Sequence, residues 1–115
     1  MPLLKLQLPV ELKDDIKKKM LHELSKMIVE TFSKPENYVM VVIDQGSFQM
    51  SGTEGNAAFA DLRGIGGINS KTTTKFSQVF CNYLLETLSI PKDRVYINFT
   101  DIDAANWGWN GSTFG

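Results

Sequence analysis

A proline at the second position, a lysine directly before another proline, a glycine-rich turn and an aromatic terminus are the residues of this chain whose types could do chemistry. Initiator methionine is commonly removed when the next residue is small, as Pro2 is, and removal would leave a free secondary amine. An N-terminal amine titrates at about 7.7–8.0 in peptides, and apolar burial or a neighbouring cation lowers that value. A neutral amine near pH 7 is a usable general base. The structural alternative is that Pro2 only opens a strand, where a missing N–H is tolerated. Lys34 stands at the end of a helical pattern, where a cation complements the helix dipole. Beside Pro2 it would instead clamp an anion. Arg63-Gly64-Ile65-Gly66-Gly67-Ile68 lacks the spacing and the lysine of nucleotide-binding loops, yet glycines after a strand can bring backbone N–H groups to a ligand oxygen. The tail holds both tryptophans, Trp107 and Trp109, together with Phe114. Such rings either pack across a subunit boundary or wall a pocket for an aromatic ligand. Cys81, with Phe80 and Leu84 nearby on a helix, reads as a buried structural thiol, and His22 on a lysine-rich helix has no partner that would give it a role.

The counts exclude most other chemistry. One Cys and one His among 115 residues cannot form an intrachain disulfide, a zinc cluster or a polyhistidine metal site, so neither a metal nor another cofactor is expected. Twelve Lys and Arg against thirteen Asp and Glu leave a formal charge of −1, which argues against nucleic acid as a partner. No apolar run approaches the roughly 18 residues of a membrane span, and the start of the chain has no basic region followed by an apolar core. The expectation is a soluble, leaderless, cytoplasmic protein without a membrane partner.

The elements that must position these residues come from periodicity. Leu4, Leu6 and Leu8 alternate with Lys5 and Gln7 as in a half-buried strand. From about Val10 to Ser33, Ile16, Met20, Leu24, Met27, Ile28, Thr31 and Phe32 form one apolar stripe, and Pro35 ends the helix. Val39 to Ile43 is a short β-branched run suited to a second strand. The second half repeats the plan. Pro35-Glu36-Asn37-Tyr38-Val39 and Pro91-Lys92-Asp93-Arg94-Val95 lie 56 residues apart, and that offset pairs Leu6 with Leu62, Met20 with Phe76, Leu24 with Phe80 and Val41 with Ile97. It predicts a second helix from Ser70, as N-cap, to Leu88, flanked by strands over 57–62 and 95–100. Two β-α-β units over residues 1–115, as one domain, imply an α+β fold with a four-stranded mixed sheet and two helices on one face. The other face, with Lys5, Gln7, Met40, Val42, Phe59, Asp61, Tyr96 and Asn98, is too apolar to be left to water, so a cyclic homotrimer is expected to cover it.

Taken together, these residues resemble the macrophage migration inhibitory factor family of the tautomerase superfamily. The matching pieces are Met1-Pro2, Lys34-Pro35-Glu36-Asn37-Tyr38, Gly64-Ile65-Gly66-Gly67, Asp93 to Asn98, and Ala104 to Phe114. The resemblance implies a homotrimer that catalyses keto–enol tautomerisation of phenylpyruvate-like 2-oxo acids, with dopachrome-like compounds as a further class, and needs no cofactor. It implies that Pro2 is the general base. Lys34 and the Ile65 N–H would hold the carboxylate and carbonyl oxygens, and Tyr96 and Asn98 would reach in from an adjacent subunit. Tyr38, Trp109 and Phe114 would form aromatic walls, with Trp107 at the rim. Three departures limit what carries over. Ala57-Ala58-Phe59-Ala60 replaces a Cys-x-x-Cys, which removes a thiol-redox role. Gly64 and Trp107 stand where a serine and a smaller aliphatic are common, which would reshape the mouth. Leu12 lies near the place of an arginine used in chemokine-receptor mimicry. A secreted cytokine-like protein that binds a cell-surface receptor is the competing reading, and a ligand-free structural trimer is the third.

Overall fold

The computed structural model describes residues 1–115. The first half contains β1 (Leu3–Leu8), α1 (Asp14–Phe32), a 3-10 turn at Glu36–Tyr38, β2 (Met40–Gln45) and the short strands β3 (Gln49–Met50) and β4 (Thr53–Glu54). The second contains β5 (Ala58–Gly64), α2 (Ser70–Leu88), a 3-10 turn at Lys92–Arg94, β6 (Val95–Asp101), a 3-10 turn at Ala104–Asn106, and β7 (Gly108–Trp109) and β8 (Ser112–Thr113). The main sheet has the order β2-β1-β5-β6, parallel within each half and antiparallel where β1 meets β5. Neither helix is long and apolar enough to cross a membrane.

The expected repeat is present in the backbone. Both helices and both of the 3-10 turns that follow them recur at an offset of 56 residues, and each helix ends on a serine in the left-handed region, Ser33 at φ 54° and Ser89 at φ 56°. The repeat extends into loops where none was expected. β3–β4 and β7–β8 are two-residue hairpins related by an offset of 59 residues, the extra three being accounted for by the turn at Ala104–Asn106. Each turn, Ser51-Gly52 and Asn110-Gly111, has both central residues at positive φ, which is the hairpin geometry compatible with strand twist.

Alternation decides the core. Leu4, Leu6 and Leu8 of β1 and Ala58, Ala60 and Leu62 of β5 are buried under the helices, which contribute Met20, Leu24, Met27, Ile28, Phe32, Phe76, Phe80 and Leu84. Phe76 joins the two halves: its ring lies 5.6 Å from Phe32, 5.2 Å from Phe80 and 6.0 Å from Phe99. Two helix starts and one expected core position differ from expectation. α1 begins at Asp14 rather than near Val10, with Lys13 in an extended conformation at its N-cap and Asp14 and Asp15 against the positive end of the helix dipole. Its first turn stands clear of the sheet, so Ile16 is 41% exposed and does not belong to the buried stripe. The N-cap of α2 is Asn69, not Ser70. The Asn69 side chain accepts from the N–H groups of Lys71 and Thr72, while its own N–H donates to Thr72 Oγ1.

One side chain fastens the β3–β4 hairpin. Arg94 donates from Nε to Asn56 O at 2.9 Å, from Nη1 to Met50 O at 3.0 Å and from Nη2 to Thr53 O at 2.9 Å. A planar guanidinium can reach three carbonyls at once, whereas an ammonium is a single point. Arg94→Ala is expected to lower the unfolding free energy by about 1–3 kcal/mol in urea titrations, the range of one or two charge-assisted hydrogen bonds. Arg94→Lys should recover less than half of that loss.

Candidate active site

The chain terminus enters the sheet as part of it. Pro2 is buried, and its carbonyl accepts the N–H of Met40 at 3.0 Å, so the residue continues the β1–β2 ladder without needing an N–H of its own. On one side of Pro2 lies a cavity of about 480 Å³, walled by Tyr38, Trp107, Trp109 and Phe114 and completed by Met1, Leu3, Asn37, Val39, Met40, Arg63, Ile102, Asn106 and Gly108. Tyr38 meets Trp109 and Phe114 edge-on at 5.4 and 5.7 Å, and those two rings stack on each other at 5.4 Å. The β7–β8 hairpin holds them together, with the Phe114 N–H donating to Trp107 O at 3.2 Å. On the other side of Pro2 is a narrow cleft bordered by Phe32, Lys34, Leu62, Gly64, Gly66 and Ile68. Pro2 is thus shared between an aromatic cavity and a cationic cleft.

Lys34 lies along the glycine turn. Its Nζ donates to Ile65 O at 2.9 Å, and a Cβ on Gly67 would sit 3.5 Å from its Cε and 3.7 Å from its Nζ. Gly66 and Gly67 have φ of +72° and +77°, a region that side-chain-bearing residues rarely adopt. The turn is therefore glycine-rich because its backbone demands it. The Ile65 N–H takes no part in the backbone hydrogen bonds made outside helices and strands, whereas its carbonyl is occupied by Lys34. Burial, and after it the charge of Lys34, holds the amine of Met1, the residue before Pro2, below its ordinary value of 8.0. Both causes act by penalising the protonated form. No three His, Cys, Asp or Glu side chains converge where they could hold a metal ion.

Of the residues singled out in the sequence, Pro2, Tyr38, Trp107, Trp109 and Phe114 share the cavity, Lys34 borders the cleft, and Ile65 is joined to Lys34 through its carbonyl without lining either. Tyr96 and Asn98 do not reach Pro2 of their own chain. Leu3 pairs with Arg63 and Arg63 with Thr100, so Tyr96 lies four residues further along β6, and it is 67% exposed on the face away from the helices. Arg63, Met40, Ile102 and Asn106 line the cavity without having been anticipated. Strand pairing held a signal for two of them, since Met40 and Arg63 are the register neighbours of Leu3. Arg63 is the cavity's one charged side chain, and it is bound to Asp61 through Nε and Nη2, at 3.1 Å for Nη2.

The internal repeat explains why there is one such cavity. The counterpart of Tyr38 in the second half is Arg94, so the slot beneath β7–β8 holds a phenol packed on two rings, and the slot beneath β3–β4 holds the guanidinium clamp. The counterpart of Pro2 is Ala58 in mid-chain, and that of Lys34 is the buried Ile90.

Comparison with known proteins agrees with the geometry. The family model described as macrophage migration inhibitory factor (MIF) matches residues 1–115. The chain belongs to the macrophage migration inhibitory factor family. It is similar to the macrophage migration inhibitory factor of Rattus norvegicus, with 40% identity over 95 residues that cover 82% of this chain and 83% of the rat protein. The homologue from Prochlorococcus marinus superposes with a TM-score of 0.90 at 35% identity, over 98% of this chain and 99% of that one. The macrophage migration inhibitory factor-like protein of Entamoeba histolytica superposes with a TM-score of 0.92 at 28% identity, over 98% of both chains. The family fold is therefore shared over nearly the whole chain.

The field at the terminus is open to direct measurement. By NMR titration, the amine of the chain that retains Met1 should have its midpoint below 8.0. Lys34→Ala should move that midpoint upward yet leave it below 8.0, because burial is the larger of the two causes. A midpoint at or above 8.0 in the parent chain would contradict the description of the site.

Proposed function

We propose that this chain is a cofactor-independent keto–enol tautomerase acting on phenylpyruvate-like 2-oxo acids, with the amine of Pro2, exposed by removal of Met1, as its general base. Dopachrome-like compounds, which pair a ring with a carboxylate, are the second substrate class. The observation that carries the reading is the place of Pro2, itself buried, between an aromatic cavity and a cleft containing Lys34, surroundings that would favour a neutral amine once Met1 is removed. An aryl group fits among Tyr38, Trp109 and Phe114, while the oxo-acid head turns toward Lys34 and the Ile65 N–H.

The chemistry is proton transfer alone. The Pro2 nitrogen takes the proton from the carbon beside the carbonyl, the C–H electron pair forms the C=C bond, and the carbonyl π pair moves onto oxygen. Protonation of that oxygen gives the enol, and the reverse sequence restores the ketone. Charge that develops on oxygen is met by fixed donors in a site that needs little reorganisation. A homotrimer completes the proposal. Met40 at 60% and Tyr96 at 67% exposure leave an apolar sheet face that other copies would cover, and an adjacent copy could bring Tyr96 and Asn98 to a pocket their own chain cannot reach. The cytoplasm is the proposed place of action.

Phenylpyruvate conversion tests the base. The processed protein should be active, and the form that retains Met1 should be slower by about a hundredfold or more, since general bases contribute roughly 10²–10⁴ and an amide nitrogen is not one. Pro2→Gly should also lose activity. Equal rates for processed protein and Pro2→Gly would sink the role given to Pro2. The rate should rise with pH as the amine deprotonates and then level off, and Lys34→Ala should shift that rise to higher pH, since removing the cation raises the amine pKa. Light scattering should give the mass of three chains, and a monomer would remove the role given to Tyr96 and Asn98.

A further inference from the structure

The turn from Gly64 to Gly67 supplies a substrate donor in the reading above, yet glycines have little preference of their own for one conformation. Each of its residues is tied to the rest of the fold, at three places: the end of β6, the end of α1 and the first turn of α2. Gly64 O accepts the Ile102 N–H at 2.8 Å, just after β6. Ile65 O accepts Lys34 Nζ at 2.9 Å, from just beyond the end of α1. Gly67 O accepts Thr72 Oγ1 at 2.6 Å, from the first turn of α2. The remaining tie is made to an N–H: Gly66 donates to Asp101 Oδ1 at 2.9 Å. Asp101 thus supplies the one carboxylate in the set, and a hydrogen bond to an ionised acceptor is stronger than a neutral one.

We propose that Asp101, at the C-terminal end of β6, is the positioning residue of the site. Its carboxylate accepts the Gly66 N–H and so fixes the Ile65–Gly66 peptide, whose carbonyl anchors Lys34, while the Ile65 N–H belongs to the peptide before it, whose carbonyl, Gly64 O, is held by the Ile102 N–H beside Asp101. Lys34 lies flush against the same turn, with its Nζ 4.0 Å from where a Cβ of Gly66 would be. Rotation of the Ile65–Gly66 peptide would therefore displace the Ile65 carbonyl and the Lys34 ammonium it holds, one of the two donors assigned to the substrate's oxygens. Asp101 acts through them and does not touch the substrate. This inference rests on the tautomerase reading for its kinetic consequence but not for its structural one. β6 then serves the site of its own chain from one end, while Tyr96 and Asn98, further along it, face outward to serve a neighbour.

The test compares Asp101→Ala and Asp101→Asn in the processed protein. Asp101 is exposed, so both variants should fold, with thermal melting as the check. Asp101→Ala should lower kcat for phenylpyruvate by about tenfold while KM stays within about threefold, because misplaced donors cost less than the roughly 10²–10³ of a deleted one and act mainly on the charge developing in the transition state. Asp101→Asn, which keeps an oxygen acceptor, should return kcat to within about threefold of the parent. Amide hydrogen exchange read by NMR should be at least about tenfold faster at Gly66 in Asp101→Ala only. Unchanged kcat in Asp101→Ala, equal loss in both variants, or unchanged Gly66 exchange would overturn the proposal. If the parent shows no turnover at all, the tautomerase reading fails, and Gly66 exchange alone then decides whether Asp101 holds the turn.

Discussion

The site depends on the immobility of a chain terminus, which is ordinarily the most mobile part of a domain. Here the first residues belong to β1, an interior strand with β2 on one side and β5 on the other. The bond from the Met40 N–H to Pro2 O extends that pairing to the second residue. A nitrogen at the start of such a strand is held as firmly as a side chain in a core, and it needs no side-chain entropy to be spent in placing it. Proline suits the position for two reasons. Its ring fills a buried place, and the N–H it lacks is one the ladder does not require.

Around that terminus the two halves of a repeat are used differently. The backbones of the halves correspond through the helices, the turns after them and the hairpins, so the same slot occurs twice. With Tyr38 in it, the slot is an apolar cavity under a hairpin carrying Trp109 and Phe114. With Arg94 in it, the slot is filled and its hairpin is tied down through three carbonyls. One copy opens a pocket while the other gains rigidity. The substitution of Lys34 by Ile90 in the second copy completes the division, since a buried isoleucine offers no charge to a ligand.

Electrostatics within the site follow from the same placement. Lys34 is near enough to the terminus to depress its protonation, and it is restrained by a carbonyl of the glycine turn, so its charge has a defined location. The turn is in turn restrained from β6 and α2. The arrangement has little freedom to relax, which is the condition under which fixed dipoles and charges are effective toward a developing oxyanion.

Most of the architecture was legible in the sequence because it rests on local periodicity: alternating leucines in β1, a three- and four-residue stripe in α1, and prolines that end both helical patterns. The 56-residue repeat then ordered the elements, residue types marked Pro2, Lys34 and the aromatic tail as candidates, and the family resemblance gave them expected roles. Element ends were read less well, at Asp14 and Asn69, because capping geometry and the reach of the sheet decide them rather than periodicity. Only the tertiary structure decided which residues meet. Arg63, Met40 and Asn106 enter the cavity through strand register and a three-residue insertion, Asp101 reaches Gly66 across 35 positions, and Arg94 and Tyr38 share a slot with opposite results. Such contacts follow from where the chain returns in space. Periodicity determines which face a residue takes, but not what stands opposite it.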